Sequence, residues 1–138
     1  MIVLDTNVLS ELAKVSPASE VLGWMALRPA SSIFATAITQ AEMLYGIELL
    51  PKGKRRTALL AEVQQMLEVD LAGRILPFDS EAAVSYGRIR ASRRAMGRSI
   101  SEADAQIAAI AHSRGAALAT RNTRDFEHCG ISVLNPWT

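Results

Sequence analysis

Cysteine is almost missing from this 138-residue sequence, because Cys129 is the only one. A single thiol cannot build an internal disulfide framework or a cysteine-based zinc site, and it favours a reducing compartment. Long apolar runs are missing too, since no stretch without charges approaches the roughly 18 residues of a membrane span. The first residues after Met1 show no basic region and no cleavage site, so we expect no signal peptide. These absences predict a soluble, intracellular protein.

Neither sign of charge dominates, with 15 Lys and Arg against 14 Asp and Glu and a net charge of +1. This balance excludes a polybasic coat protein and an acidic tail, and it makes no global case for nucleic-acid binding. Lysine is scarce, because twelve of the fifteen basic residues are arginine. Aromatic residues make up only 5% of the chain. Base stacking is therefore not expected to be the main grip on any nucleic acid.

Apolar residues, at 49%, are plentiful enough for the core of one domain. Short apolar runs that predict strands lie at 2–4, 32–35, 74–76, 116–119 and 131–134. Helical patterns lie between them, at about 39–50, 54–71, 79–94 and 101–114, and Ser16-Pro17 predicts the start of a helix that stops before Pro29. This alternation predicts one α/β domain over residues 1–138, with a central parallel sheet flanked by helices on both faces. Ligands of such sheets bind beyond the carboxyl ends of the strands.

Three acidic residues stand where helix capping is the ordinary interpretation. Asp5 ends the first apolar run and can cap the helix that follows. Glu42 closes a capping-box pattern that begins at Thr39, and Asp104 closes a similar one that begins at Ser101. Considered singly, each of these acids is expected to be structural.

Helical spacing changes that expectation, because it puts two of the acids in apolar stripes. Glu42 lies in line with Ile38, Tyr45 and Leu49, and Asp104 with Ile107, Ala108 and Ala111. An isolated buried carboxylate is costly unless it is paired or bound to a metal. Together with Asp5 they suggest three carboxylates that converge at one edge of the sheet, where each pair at about 4 Å would repel by roughly 4 kcal/mol. A divalent cation removes this repulsion, and oxygen-only ligands favour Mg²⁺ or Mn²⁺.

Polar residues near these acids are candidates for assisting groups that orient a carboxylate or a coordinated water. Asn122 and Asp125 follow the run at 116–119, although a turn explains both equally well. The complete set of assisting candidates is Thr6, Asn7, Thr39, Thr120, Asn122 and Asp125.

Four motifs, in order and at the expected spacing, resemble those of the PIN-domain ribonucleases, and specifically of the VapC-type toxins of bacterial toxin–antitoxin pairs. They are IVLDTN at 2–7, TQAE at 39–42, SEAD at 101–104 and ATRN at 119–122. The segments GRILPFD at 73–79 and NPW at 135–137 are similar to the branch that includes the gonococcal trafficking-complex toxin. One such motif alone is weak, but four in sequence over essentially the whole chain are specific.

The resemblance implies a Mg²⁺-dependent cleft in which Asp5, Glu42 and Asp104 are the catalytic and metal-binding residues, and cleavage of RNA by a metal-activated water. It also implies homodimerisation, neutralisation by a cognate VapB-type antitoxin in a hetero-oligomer, contact with operator DNA only through that antitoxin, and action in the bacterial cytoplasm. The fourth motif often carries an acid where this chain has Asn122. Asn122 could ligate through its amide oxygen, Asp125 could substitute, or three carboxylates could suffice; we favour three carboxylates assisted by Asn122.

Two basic clusters are candidates for holding the RNA, because guanidinium groups bind phosphates through paired hydrogen bonds. The first is Arg88, Arg90, Arg93, Arg94 and Arg98, and the second is Lys54, Arg55 and Arg56, with Lys52 beside it. The ordinary interpretation of either cluster is a solvated helix face. A different class of function is a catalytically weak binding module that acts mainly with its antitoxin in DNA-bound autoregulation. A haloacid-dehalogenase-type phosphatase is disfavoured, because Asn7 stands where that chemistry needs a second acid.

Overall fold

The computed structural model describes residues 1–138 and alternates short strands with helices as predicted. The strands are β1 (Ile2–Leu4), β2 (Ile33–Thr36), β3 (Ile75–Leu76), β4 (Ala117–Ala119) and β5 (Val133–Leu134). The helices are α1 (Thr6–Leu12), α2 (Ser19–Ala26), α3 (Ala37–Glu48), α4 (Lys54–Gln65), α5 (Ser80–Ala95) and α6 (Glu102–Ser113). Short helical turns lie at Ala30–Ser32, Met66–Asp70 and Thr123–Phe126. No helix is long and apolar enough to cross a bilayer.

The five strands form one parallel sheet in the order β3-β2-β1-β4-β5. In the register at its centre, Ile2 lies opposite Ile33 on one side and Ala117 on the other. From β1 the chain builds the sheet outward in one direction through β2 and β3, and then in the other through β4 and β5. The carboxyl end of β1 is therefore the switch point where such sheets bind ligands.

The core lies on both faces of the sheet, which confirms the predicted layers. Alternate residues of β1 point to opposite faces, so Val3 joins one hydrophobic cluster and Leu4 joins the other. The cluster around Val3 is packed mainly by α5 and α6, and the cluster around Leu4 by α1 to α4. This packing fixes the first turns of α1, α3 and α6 at the carboxyl edge of the sheet.

The start of α2 differs from the prediction, because neither Ser16 nor Pro17 begins it. Ala18 occupies the cap position and makes no side-chain cap bond. Its backbone N–H instead donates to Glu11 Oε2 at 3.0 Å. A carboxylate from α1 thus satisfies a free amide at the start of α2, as a local cap would.

The capping box predicted at Thr39 and Glu42 is also wrong. Thr36, the last residue of β2, caps α3, and its hydroxyl accepts from the Thr39 N–H at 3.1 Å. Thr39 and Glu42 consequently lie inside the helix, and Glu42 has no capping role. The cap predicted at Ser101 is confirmed, since the Asp104 N–H donates to Ser101 Oγ at 3.2 Å.

Candidate functional site

The three predicted carboxylates line one cavity of about 470 Å³ at the carboxyl edge of the sheet. Asp5 comes from the end of β1, Glu42 from the second turn of α3 and Asp104 from the first turn of α6. Asn122, which follows β4, lines the same cavity. Residues separated by up to 117 positions are therefore brought together by the parallel order of the strands.

Asp5 is held by hydrogen bonds to both of its carboxylate oxygens, and it is only 5% exposed. Oδ1 accepts from the Thr6 N–H at 2.8 Å, as a helix cap does. Oδ2 accepts from Thr120 Oγ1 at 2.8 Å and from Asn7 Nδ2 at 3.2 Å. These bonds hold the side chain in an orientation that caps α1 while also facing the cavity.

Thr120 links the end of β4 to the start of α1. Its buried hydroxyl donates to Asp5 and accepts from Asn7 Nδ2 and from the Asn122 N–H, both at 3.1 Å. Asn7 Oδ1 in turn accepts from the Arg121 N–H at 3.2 Å. The polar residues of the first and fourth motifs thus form one network around Asp5.

Glu42 is positioned by two threonines. Thr6 Oγ1 donates to Glu42 Oε1 at 2.7 Å and lies 2.9 Å from Thr39 Oγ1. Because the Thr6 hydroxyl has one hydrogen and gives it to Glu42, Thr39 is the donor in the second contact. The chain from Thr39 through Thr6 to Glu42 holds this carboxylate from the buried side of α3.

The stripe on α3 was expected to face the core or a cleft, and only Ile38 packs against the core, while Glu42 lines the cavity. Tyr45 is 67% exposed and Leu49 is 66% exposed. The helix packs instead through Thr39, Met43 and Ile47. Glu42 is accordingly an exposed residue at the cavity wall, whereas Asp104 is half-buried as its stripe predicted.

The electrostatics of the cavity show unbalanced negative charge. The pKa of Asp5 is raised to about 6, chiefly by burial and with help from the charges of Asp104 and Glu42, although hydrogen bonds from Thr120 and Thr6 lower it. The pKa of Asp104 is also raised, first by burial and then by the charges of Asp125 and Glu42. Asp5 and Asp104 are therefore harder to ionise, in part because of their charged neighbours, as expected where like charges share a site.

The donor set suits a hard divalent cation that keeps part of its water shell. Every group facing the cavity that could ligate an ion offers oxygen, and no cysteine or histidine lines it. No three carboxylate, imidazole or thiol groups lie close enough to hold one ion between them. Mg²⁺ commonly takes only one or two carboxylates directly and retains several waters, and the cavity has room for them.

The fourth motif contributes Asn122 but not Asp125 to the cavity wall. Asp125 lies in the helical turn Thr123–Phe126 and is near enough to Asp104 to raise the pKa of that residue. Asp125 thus adds to the negative charge around Asp104 without lining the cavity.

The basic cluster on α5 is not brought to the carboxylates. Arg90 and Arg94 line a different cavity, and Arg98 pairs with Glu127 at 2.8 Å. None of the five predicted arginines, Arg88 included, lines the carboxylate cavity. Arg93 is not available to bind RNA as predicted, because it is 4% exposed and its guanidinium is bound to backbone carbonyls inside the protein.

The second basic cluster begins α4 and lies nearer to the site. Arg55 lines a groove of about 880 Å³ that shares Thr6, Ser10, Lys14 and Glu42 with the carboxylate cavity. Arg56 pairs with Glu48 at 2.8 Å in an exposed contact of the kind that contributes little. Lys54 is exposed at the first position of the helix.

Five residues of the cavity wall were not among the predicted site residues, namely Ser10, Glu11, Lys14, Arg121 and Trp137. Arg121 stands inside the fourth motif, next to Thr120, and its place beside a strand end was the available signal. Trp137 comes from the end of the chain. No local pattern could have placed it at the wall of the same cavity as Asp5, since only the complete sheet does so.

The sequence matches the PIN-domain family over residues 2–131. It is 43% identical to the VapC ribonuclease Y4jK of Sinorhizobium fredii, over 99% of this chain and 98% of the relative. It is 39% identical to the toxin FitB of Neisseria gonorrhoeae, over 99% of both. The fold is similar to that in the structure of FitAB bound to an IR36 DNA fragment, with a TM-score of 0.93 and 39% identity over 100% of this chain and 96% of that one. For DNA-bound VapBC from Salmonella typhimurium the TM-score is 0.84, with 31% identity over 98% and 97% of the two chains.

Proposed function

Because the chain belongs to the PIN-domain family, and within it to the VapC-type ribonuclease toxins, we propose that Asp5, Glu42 and Asp104 hold a hydrated Mg²⁺ ion, directly or through its water molecules, and are the residues on which its RNA cleavage depends. One observation supports this assignment above the others. Carboxylates from β1, α3 and α6 line a single cavity, where burial and their mutual repulsion raise the pKa values of Asp5 and Asp104.

The protein is an endoribonuclease toxin that hydrolyses RNA phosphodiester bonds and is neutralised by a cognate antitoxin. Its contact with operator DNA is made through that antitoxin, as the DNA-bound FitAB and VapBC assemblies indicate. Homodimerisation is consistent with the same family. We further propose that it acts in the bacterial cytoplasm, where its RNA substrate is found.

PIN-domain ribonucleases generally depend on a divalent metal, and Mg²⁺ is our choice because all the donors are oxygens. Asp5, Glu42 and Asp104 would hold the ion, which would supply a more acidic water and would offset the charge that builds up on the phosphate. The protein itself contributes three carboxylates that are held in position. Asp5 is fixed at both oxygens, Glu42 is fixed by Thr6, and Asp104 is held at the first turn of a capped helix.

Neither histidine takes part in this arrangement. His112 Nδ1 lies 2.9 Å from Ser85 Oγ, and neither His112 nor His128 lines the cavity. Proton acceptance at the site therefore falls to carboxylate oxygens and to water. Such a site depends on bound metal more strongly than one built on an imidazole base.

Metal removal should stop the reaction. We expect protein treated with EDTA to cleave RNA at least about a hundredfold more slowly, a loss on the scale of removing one preorganised electrostatic group, and Mg²⁺ to restore the rate. The measurement is cleavage of a panel of purified tRNA, rRNA fragments and mRNA by freshly purified antitoxin-free protein. Unchanged cleavage in EDTA would refute the metal proposal. An absence of cleavage with every RNA and with both Mg²⁺ and Mn²⁺ would favour the alternative of a silent binding module.

The affinity for the metal should fall on acidification, because protons compete for the same carboxylates. With a pKa of about 6, Asp5 is almost fully ionised at pH 7.5 and mostly protonated at pH 5. Metal binding should consequently be about tenfold weaker at pH 5 than at pH 7.5 from this group alone, and the raised pKa of Asp104 acts in the same direction. Calorimetric titration with Mn²⁺ at a series of pH values measures the effect.

Thr120 supplies the matched pair of variants for this experiment. Its hydroxyl lowers the pKa of Asp5, so Thr120→Val should move the midpoint of the pH dependence upward, while Thr120→Ser should leave it in place. Without metal, the stability of the fold changes with pH in the opposite direction to the metal affinity. The folded state binds the Asp5 proton more tightly than the unfolded state does, so apo stability falls as pH rises from about 4 to about 6. A metal affinity that does not change between pH 5 and pH 7.5 would contradict the role of Asp5.

A further inference from the structure

Arg121 is the only arginine that lines the carboxylate cavity. It follows Thr120, which donates to Asp5, so its backbone is fixed beside the catalytic carboxylate. Its guanidinium nevertheless forms no ion pair with any of the four acids around the cavity. It also donates no side-chain hydrogen bond within the protein. Its donors are therefore free to bind an incoming group.

The ring of Trp137 forms a cation–π contact with this guanidinium. The Arg121 Cζ atom lies 5.1 Å from the ring centroid, within the range of a cation–π contact. Trp137 is itself held, because its backbone N–H donates to Asn135 Oδ1 at 2.9 Å and its side chain packs against the hydrophobic cluster that contains Leu4. The end of the chain is thus built into a turn that places an aromatic platform at the cavity wall.

Most other arginines of the chain are already engaged. Arg93 and Arg74 are bound to backbone carbonyls, and Arg56 and Arg98 are paired with glutamates. Lys14, the other cation of the cavity, forms an ion pair with Glu11 at 2.9 Å. Arg121 therefore differs from its peers in combining a fixed backbone, an aromatic support and unpaired donors at the carboxylate site.

We propose that Arg121, held on the ring of Trp137, binds a phosphate of the RNA backbone next to the bond that is cleaved, and that Trp137 is a positioning residue for it. This inference rests on the proposed function of the carboxylates. A polyanion that enters an acidic cavity is repelled, and a planar guanidinium that can form two hydrogen bonds to one phosphate offsets this repulsion. A stacked guanidinium also loses less freedom when the phosphate binds, because its orientation is already restricted.

Arg121→Ala is the central variant, and Arg28→Ala is its matched control. Arg28 also stacks on a tryptophan, with its Cζ atom 3.6 Å from the Trp24 centroid, but it does not line the carboxylate cavity. We expect Arg121→Ala to raise KM about tenfold, as the loss of a charged hydrogen bond does, and to change kcat less. Arg28→Ala should leave both values unchanged. Binding of a short labelled single-stranded RNA, measured in the Asp104→Asn background to prevent cleavage, should weaken by the same factor for Arg121→Ala.

The salt dependence of RNA binding is a second measurement, which the variant would not change if Arg121 had a purely structural role. Removing one phosphate contact should make the slope of log affinity against log salt shallower by about 0.7. Trp137→Ala should weaken binding less than Arg121→Ala, and the double variant should bind no worse than Arg121→Ala alone. Additive losses in the double variant would overturn the positioning role, because Trp137 would then contact the RNA independently.

The two hypotheses fail in different ways. If the unmodified protein with Mg²⁺ cleaves no RNA, the proposed function fails. If it cleaves RNA and Arg121→Ala matches it in KM, affinity and salt slope, the proposed function stands and the role of Arg121 is refuted. A loss that Arg28→Ala reproduces would also refute it, because any reduction in positive charge would then suffice.

Discussion

Asp104→Asn should lose RNA cleavage by at least about a hundredfold without losing stability, a combination that separates a catalytic carboxylate from a structural one. The substitution removes the negative charge but keeps an oxygen that can accept a hydrogen bond. Burial and the charges of Asp125 and Glu42 raise the pKa of Asp104, so its ionised form is disfavoured in the folded protein. Replacing it with a neutral amide should therefore leave the metal-free melting temperature unchanged or raise it.

The cleavage assay and thermal unfolding, each with and without Mg²⁺, measure the two effects on one preparation. A ligand that binds only the folded state raises the melting temperature, so the unmodified protein should be stabilised by Mg²⁺. Asp104→Asn should lose most of this increase. Glu102→Gln is the matched control, because Glu102 lies in the same helical turn and is exposed. It should retain both the activity and the response to metal.

Two outcomes would contradict the assignment. Cleavage at the unmodified rate would show that Asp104 is not needed. Lower activity together with a lower metal-free melting temperature would indicate a structural role, since Asp104 is also close enough to Ser101 to take part in the cap of α6.

The sequence predicted the layers of the fold and the convergence of the carboxylates because both follow from local patterns. An apolar run that ends in Asp5 marks the carboxyl end of a strand, and parallel strands bring their carboxyl ends to one edge. The same reasoning located Asn122 after β4. A polar residue directly after a strand can therefore be placed at this edge from the local sequence alone, without knowledge of distant contacts.

The sequence pattern gave the wrong prediction where a helix has two apolar faces, or where two polar residues could each cap the same helix. The stripe of Tyr45 and Leu49 has the spacing of a core face, but α3 packs through Met43 and Ile47, each two positions earlier. Helical periodicity identifies an apolar face without saying what covers it. Likewise Thr36 and Thr39 can both cap a helix, and the end of β2 decides in favour of Thr36.

Arg93 illustrates the same limit for charged clusters. Five arginines within 88–98 suggest a solvated or RNA-binding surface, yet α5 turns one of them inward, where it is 4% exposed. Its Nε donates to the Arg98 carbonyl at 2.7 Å, and its Nη1 donates to the carbonyls of Asp125 and Glu127 at 2.8 and 3.0 Å. No carboxylate pairs with it. The buried charge is compensated by peptide dipoles of the segment that follows the fourth motif.

Arg93→Ala should therefore be strongly destabilising, by about 3 kcal/mol or more of unfolding free energy, because three backbone carbonyls lose the buried side chain that donates to them and a cavity is left. For a chain of this size, that loss corresponds to roughly 10 °C in melting temperature. Arg93→Lys should recover only part of it, since one ammonium cannot reproduce the fork that reaches separate carbonyls. Arg94→Ala, at the exposed neighbouring position, should change stability by less than about 0.5 kcal/mol. Urea unfolding of the three variants decides between the two roles of Arg93. A stable Arg93→Ala that binds RNA more weakly would restore the surface role predicted from the sequence.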